Sequence, residues 1–276
     1  MRGESPGAIA WRKLASNRSA QIGGALCLFF VLCAIFAPWL APYSYKKLDL
    51  AHRLAAPGQF GHWLGTDNLG RDLLSRLLYG ARVSMAVGIF SVTISLGIGV
   101  PLGSLAGYAG RWIDSLVMRS MDLLLAFPSI LLAIGIVTVL GNNLTNAMIA
   151  VGVVGIPVFA RIARAAVIAV KEQEYVQAAR TIGCSPPRIL LVHILPNCIN
   201  PLIVQATLSL GTSVLDAAGL SFLGLGAKPP TPEWGTMLAD TYRYYEQAPW
   251  LVLGPGLAIL GLVLGFNLLG DGLRDA

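Results

Sequence analysis

Long apolar runs are the feature of this sequence that most limits its fold. Each is about 20 residues long or slightly longer, and the runs lie at 20–40, 83–108, 121–140, 147–170, 199–220 and 250–269. At about 1.5 Å per residue, a helix of this length crosses a hydrocarbon core about 30 Å thick. Charged residues make up only 12% of the chain, whereas soluble domains carry about 25%. The sequence therefore predicts an all-α membrane protein with six transmembrane helices.

The beginning of the chain predicts a retained membrane anchor. The first 19 residues are polar and basic, and the apolar run after them lacks the small-residue cleavage site of a secretory signal. We predict three regions: a cytoplasmic N-terminal segment at 1–19, a region at 20–82 with the first span and an external loop, and a transmembrane core at 83–276.

Residues 67–79 show the pattern of an amphipathic helix. The apolar positions share one helical face and are Leu69, Leu73, Leu74, Leu77 and Leu78. The opposite face carries Arg71, Asp72, Ser75 and Arg76. This division predicts an external elbow helix, capped by Thr66 or Asp67, that lies along the membrane surface before the second span.

Small residues recur every four positions along the second apolar run, at Ser91, Ser95, Gly99, Gly103 and Gly107. Such a ladder lets a neighbouring transmembrane helix approach closely. We therefore predict helix packing at these positions and no chemistry.

The stretch 171–196, KEQEYVQAARTIGCSPPRILLVHILP, is the longest polar interruption in the second half of the chain. Residues 174–182 predict a short helix, and Gly183 lies where a helix usually stops. Ser185 and Pro186 are typical of the cap and first position of a second helix. The second helix should cover 188–195.

Pro196 should then break this second helix, because proline has no backbone N–H to donate. A short helix, a glycine and a second short helix between two long apolar runs indicate a handle that projects from the membrane into water.

The same stretch resembles the EAA loop of ABC-importer permeases. That pattern runs Glu-Ala-Ala, three residues, Gly, nine residues, Ile, one residue and Leu-Pro. The chain matches the spacing, the alanine pair, the glycine and the Leu-Pro, whereas Gln177 replaces the glutamate and His193 replaces the isoleucine. The resemblance assigns the family's ATPase-coupling role to Gln177, Ala178, Ala179, Gly183, Leu195 and Pro196. By position alone, we predict flanking contacts from Tyr175, Val176, Arg180 and Arg188.

Further segments are similar to permeases of the dipeptide/oligopeptide/nickel importer subfamily, namely LGTDNLGRDLLSRLLYGARVS, GAKPPTPEWG and FNLLGDGLRDA. The likeness covers nearly the whole chain after residue 20. It implies the type I ABC importer permease (MetI-like) fold. It also implies four kinds of partner: a second homologous permease in a heterodimer, two ABC ATPase subunits, an extracytoplasmic solute-binding protein and the lipid bilayer.

Basic residues favour the cytoplasmic ends of spans, so their distribution predicts orientation. Twelve lie on one side of the predicted bundle: Arg2, Arg12, Lys13, Arg18, Arg111, Arg119, Arg161, Arg164, Lys171, Arg180, Arg188 and Arg274. Eight lie on the other: Lys46, Lys47, Arg53, Arg71, Arg76, Arg82, Lys228 and Arg243. We predict a bacterial inner-membrane protein with both termini and the 171–196 loop in the cytoplasm. This placement accounts for the net charge of +6 without a nucleic-acid partner.

No catalytic or cofactor motif is visible in the sequence. The pattern G-x-x-x-x-G-K-[ST] is absent, so ATP hydrolysis is expected in partner subunits and the chain itself is not predicted to be an enzyme. The three histidines, His52, His62 and His193, fall on both sides of the membrane, which argues against a metal site. The four cysteines, Cys27, Cys33, Cys184 and Cys198, lack ligand spacing and are predicted to be reduced. We expect no cofactor.

Asp216 lies inside the predicted fifth span, about one turn from its outer end. A carboxylate at this depth is costly unless it has a partner or a function. Two interpretations stand at this stage: a boundary residue capped by Thr212 or Ser213, or a residue that lines the translocation pathway and meets a positively charged substrate group.

The combined prediction is one permease subunit of an ATP-driven importer of di- or oligopeptides. Closure of the ATPases would move the 171–196 loop and rock the spans between two states. Nickel chelates and glutathione are alternative substrates within the resembling subfamily. An ion-coupled secondary transporter is a more distant alternative, because it should show inverted halves and acids at the midplane. An intramembrane enzyme would need paired catalytic groups inside the spans.

Overall fold

The structure is a computed structural model that describes residues 12–13 and 15–275. It is nearly all helical, as predicted. The principal helices are α1 (Arg18–Leu40), α2 (Leu73–Ala109), α3 (Arg111–Leu125), α4 (Ser129–Leu140), α5 (Leu144–Lys171), α6 (Glu174–Thr181), α7 (Ile199–Phe222), α8 (Trp234–Thr241) and α9 (Trp250–Asp275). Of the predicted N-terminal segment, residues 1–11 and 14, which include Arg2, lie outside the described residues. We call the end of the bundle with residues 171–198 the loop end, and the end with residues 41–72 the opposite end.

Five helices within the described residues are long and apolar enough to cross a membrane: Arg18–Leu40, Leu73–Ala109, Leu144–Lys171, Pro186–Phe222 and Trp250–Asp275. Helices α3 and α4 are apolar enough together to give a sixth candidate span, as a pair bent by 93°. The single span predicted at 121–140 is therefore wrong in shape. Helix α3 ends just before Pro128, which lacks an N–H and disfavours helical geometry in the residue before it.

The separate surface helix predicted at 67–79 is wrong. Helix α2 begins at Leu73 and continues without a break to Ala109. Its cap is Asp72, whose carboxylate accepts a hydrogen bond of 2.7 Å from the Ser75 N–H. The charged face is covered by protein, and only 3% of Arg76 is exposed. The segment therefore extends the second span, and its polar side faces the protein interior.

The small-residue ladder of α2 packs against α5, as predicted. The Ser91 hydroxyl donates to the Met148 carbonyl at 2.9 Å, and the Ser95 hydroxyl donates to the Gly152 carbonyl at 2.6 Å. Further along, a Cβ atom added to Gly103 would lie only 2.8 Å from the Ala160 Cα. The two backbones therefore meet with no side chain between them.

Helix α8 begins at the end of the proline-rich segment GAKPPTPEWG. The Glu233 carboxylate caps it by accepting hydrogen bonds from the next N–H groups, including that of Thr236 at 2.9 Å. Trp234 is buried where α8 meets α2, and its indole N–H donates to the Leu77 carbonyl at 3.1 Å. The Phe30 ring of α1 packs edge-to-face against the Trp234 ring, with the ring centroids 5.6 Å apart. This tryptophan therefore joins α8, α2 and α1.

Candidate functional site

The loop between α5 and α7 contains the predicted helix as α6. One side of α6 packs on the rest of the chain, since Val176 is fully buried and Ala179 nearly so. They belong to a buried cluster, here called the loop core, whose members are Val167, Val176, Ala179, Ile189, Ile194 and Cys198. The loop core joins α6 to the end of α5 and to residues 189–198, which lead into α7 and are here called the approach to α7. The short helix is thus held by apolar contacts on one side only.

Helix α6 ends in a Schellman motif around Gly183. The Gly183 N–H donates to the Arg180 carbonyl at 3.0 Å, and the Cys184 N–H donates to the Ala179 carbonyl at 3.1 Å. Gly183 has φ +85°, a left-handed conformation that glycine adopts without strain. The predicted helix stop at this glycine is confirmed.

The predicted second helix begins where expected and ends differently. Ser185 is at the cap and Pro186 at the first position, although the Ser185 hydroxyl makes no capping bond. The break predicted at Pro196 is wrong, because a π-helical turn at Ile189–Ile194 and a 3-10 turn at Leu195–Cys198 lead directly into α7. The wider π turn relieves the clash that a proline makes with the preceding helical turn.

Several predicted coupling residues lie on the exposed side of the loop, namely Gln177, Ala178, Arg180, Gly183 and Arg188. The Gln177 amide donates to the Lys171 carbonyl at 3.3 Å. The Arg180 guanidinium lies 5.9 Å from the centre of the Tyr108 ring, within the range of a cation–π contact.

Other predicted residues make contacts within the protein, and two of them, Tyr175 and Pro196, are exposed as well. Val176 and Ala179 lie in the loop core, and the Tyr175 hydroxyl donates to the His193 carbonyl at 3.3 Å. Leu195 and Pro196 line an apolar cavity of about 530 Å³ between α2 and the start of α7. Among the predicted coupling residues, Val176 and Ala179 are therefore buried, Leu195 is half-buried and the others are exposed.

Contacts that sequence reasoning missed fasten the start of the loop to α2, and α5 to α3. The Lys171 ammonium donates to the Gly107 carbonyl at 3.0 Å, at the end of α2. Arg164 of α5 and Asp114 of α3 form a two-point ion pair, with Nη2 and Oδ2 separated by 2.6 Å. The partners are 50 residues apart or more, so no local pattern could have indicated them.

Asp216 is exposed on α7, where it borders a small cavity with Ser129 and Ile130 at the start of α4. The Thr212 hydroxyl, one of the two predicted caps, donates to the Ser209 carbonyl at 3.2 Å. The pathway role of Asp216 stays a prediction.

The opposite end holds a group of buried charges that the sequence pattern placed on a surface. The Asp67 carboxylate is 2.6 Å from Arg71 Nε and 3.5 Å from Arg76 Nε. Asp240, at the end of α8, faces the same group, and burial raises the pKa of its carboxyl while Arg76 and Arg71 oppose that change. These charges tie the 41–72 segment to α2 and α8.

Two of the three histidines line one cavity at the opposite end, and His193 lies in the loop. His62 Nδ1 is 2.8 Å from an Asp72 oxygen, and His52 Nδ1 is 2.9 Å from an Asp49 oxygen, both at the opposite end. The His52 contact lowers the pKa of Asp49 below its ordinary value. Among the described residues, no three His, Cys, Asp or Glu side chains are grouped to hold a metal ion. The four cysteines are free.

Comparison with solved structures relates the fold to a known transporter. A chain of the MetNI methionine ABC transporter, in an inward facing conformation, superposes with a TM-score of 0.59 and 22% identity. The match covers 72% of this chain and 94% of that one. This likeness confirms the predicted type I importer permease (MetI-like) fold.

Sequence relatives extend over almost the full chain. The dipeptide transport system permease protein DppC of Alkalihalophilus pseudofirmus is 51% identical, over 99% of this chain and 89% of the relative. The di/tripeptide transport system permease protein DppC of Pseudomonas aeruginosa is 51% identical over 96% and 89%. The glutathione transport system permease protein GsiD of Escherichia coli is 47% identical over 96% and 88%.

Two family profiles match in succession along the chain. Residues 5–57 match the N-terminal TM domain of oligopeptide transport permease C. Residues 99–276, which contain the loop, the loop core and Asp216, match the binding-protein-dependent transport system inner membrane component. The chain therefore belongs to the family of binding-protein-dependent transport system inner membrane components, the permease subunits of ABC importers.

Proposed function

We propose that this chain forms half of the translocation pathway of an ATP-driven dipeptide importer and that the 171–196 loop couples it to an ATPase. The proposal rests on one observation: one side of α6 is buried against the protein and the other side is exposed. Its buried side is fixed to α5 and to the approach to α7 through the loop core, while its other side is exposed. A force applied to the exposed side therefore reaches two spans through packed side chains.

The burial of individual residues divides the coupling role between them. Gln177, Ala178, Arg180 and Arg188 are exposed, and we assign them direct contact with the ATPase. Val176 and Ala179 act indirectly, because they hold α6 against the loop core. This revises the direct contacts predicted for those two residues from the sequence.

Several partners complete the transporter in this proposal. A second homologous permease forms the other half of the pathway in a heterodimer, and two ABC ATPase subunits hydrolyse ATP. An extracytoplasmic solute-binding protein delivers the substrate to the opposite end, and both termini and the loop face the cytoplasm. Exposed apolar side chains on α4 and α7, such as Leu131, Val139 and Leu215, leave surface for the second permease and for lipid.

The proposed substrate class follows from the relatives. Their names specify dipeptides, di- and tripeptides, and glutathione, all of which are peptides with a charged amine and a carboxylate. We assign dipeptides to this chain and keep glutathione and nickel chelates as the alternatives for the test.

The test is uptake by the full complex reconstituted in vesicles, with wild-type chain and with Gly183→Leu. We expect ATP to drive uptake of a labelled dipeptide, and an excess of glutathione or a nickel chelate to compete weakly. In Gly183→Leu, uptake should fall about tenfold while ATP hydrolysis continues, because leucine costs about 1–2 kcal/mol in the left-handed conformation.

Gly224→Leu is the matched control for this substitution. Gly224 has φ +82° and, like Gly183, no atom within 4 Å of an added Cβ, but it lies outside the loop. Its coupling should equal that of the wild type. Normal uptake in Gly183→Leu would remove the coupling role, and uptake driven by an ion gradient without ATP would favour a secondary transporter.

Asp216→Asn tests the pathway role of this carboxylate. A charge-assisted hydrogen bond to a substrate ammonium contributes about 1.5–3 kcal/mol, and asparagine keeps only a neutral bond. We expect the initial rate of dipeptide uptake to fall about tenfold, with ATPase binding unchanged. Thr212→Ala, one turn away on the same helix, should transport normally. Equal rates for Asp216→Asn and wild type, with cationic and neutral dipeptides alike, would show that Asp216 has no pathway role.

A further inference from the structure

Ile182 is the most exposed large apolar side chain of the loop, with 79% of its surface accessible. It lies at the end of α6, outside the apolar body of the spans. A single exposed apolar residue often has no meaning, but one held rigidly at the tip of a projecting loop indicates a contact surface.

The Schellman motif fixes the direction of Ile182. Ala179 and Cys184 join its two ends by a backbone hydrogen bond, and both side chains pack into or against the loop core. Ile182, as the last residue before the left-handed glycine, is left on the outside of the turn. Its own N–H donates to the Ala178 carbonyl at 3.1 Å. The exposed side chain therefore costs little ordering entropy when it binds.

The surroundings of Ile182 fit a protein partner. Ala178 lies one helical turn before it, so the two residues form a narrow apolar stripe in which the small alanine permits close approach. The remaining exposed positions of α6 and the preceding turn are Glu172, Gln173, Glu174, Tyr175, Gln177, Arg180 and Thr181. Two of these are acids, one is a base, and Tyr175 is the one aromatic residue among them. A helix that lies on a membrane needs a broad apolar face and a basic polar face, and α6 has neither.

We propose that Ile182 is the apolar anchor that enters a pocket on the ATPase subunit and that Ala178 allows the pocket rim to close around it. The proposal rests on the proposed function, because it assigns a residue to the contact between loop and ATPase. The exposed guanidinium groups of Arg180 and Arg188 lie on either side of Ile182 in the chain. The pocket should therefore be apolar at its base and carry carboxylates at its rim.

The test measures dissociation of the ATPase subunits from the complete complex in lipid nanodiscs. A buried anchor of this kind accounts for a large part of the binding energy of an interface. We expect Ile182→Ala to weaken ATPase binding about 30-fold, and Ile182→Leu to restore affinity to within about threefold. Thr181→Ala removes a neighbouring exposed side chain and is the matched control, with affinity expected within about twofold of wild type. ATPase affinity within twofold of wild type in Ile182→Ala would overturn the proposal.

A photo-crosslinking amino acid at position 182 identifies the occupant directly. An adduct with the ATPase subunit supports the proposal, whereas an adduct with lipid or with the second permease alone overturns it. The Gly183→Leu result separates this proposal from the proposed function. If Gly183→Leu uncouples transport while Ile182→Ala has no effect, the anchor role of Ile182 is wrong and the coupling role of the 171–196 loop is retained. If uptake does not require ATP, the proposed function itself is wrong.

Discussion

Gly103→Leu is expected to prevent α2 and α5 from packing and to abolish accumulation of the folded protein. A Cβ at this position would lie 2.7 Å from the Ala160 carbonyl carbon and 2.8 Å from its Cα, and still nearer to its oxygen. These are backbone atoms of a neighbouring helix, so no side-chain rotation can relieve the overlap. Overpacking of this kind costs about 3 kcal/mol or more, and even Gly103→Ala should be destabilising.

Gly97 provides the matched control on the same helix. It is exposed, and no atom lies within 4 Å of an added Cβ. Thermal unfolding in detergent, together with the yield from membranes, measures the difference. We expect Gly103→Ala to lower Tm by about 10 °C, from the usual relation between Tm and unfolding free energy, and Gly97→Ala to leave it unchanged. Equal Tm values for the two alanine variants would show that the helices separate easily at the ladder.

Asp67→Ala is expected to destabilise the opposite end almost as strongly. The substitution removes the carboxylate that lies between Arg71 and Arg76, both of which are buried. Two guanidinium groups would then share a site with little water, and Asp240 would be the remaining acid facing them. Loss of one partner from a buried ionic group costs about 3–5 kcal/mol. Limited proteolysis of the 41–72 segment should detect its release from α8.

Asp49→Ala removes a carboxylate from the same segment and serves as the comparison. Asp49 and its partner His52 are each about one-third exposed, at 34% and 35% of their side-chain surfaces. Exposed pairs contribute little, so protease resistance and Tm should stay near wild-type values. Equal protease sensitivity in Asp67→Ala and Asp49→Ala would contradict the stabilising role of the buried group.

The spans and the loop could be predicted because their signals are local. Apolar runs longer than a membrane is thick indicated each crossing, and Gly183 with the preceding helix formers indicated the end of α6. Even the bend between α3 and α4 has a visible signal in Pro128, at the boundary between the two helices. The apolar pattern continues through this proline, and the pattern alone therefore predicts one straight span.

The environment of the charged face at 67–79 could not be predicted from the local sequence. An amphipathic pattern tells which residues share a side, but it does not tell whether that side meets water or the buried charges of another segment. Asp67 and Asp240 are more than 170 residues apart in the chain, so their meeting depends on the tertiary fold. The same applies to Asp114 and Arg164. At Pro196, the expected break did not occur because the π turn before it absorbs the missing hydrogen bond.

The uninterrupted path from Pro186 to Phe222 has a mechanical consequence. A helical rod of 37 residues is roughly 55 Å long when each residue rises about 1.5 Å. Pivoting such a rod by ten degrees about its Pro186 end would swing its far tip sideways by about 10 Å. A small tilt at the loop end thus becomes a much larger sideways displacement at the opposite end.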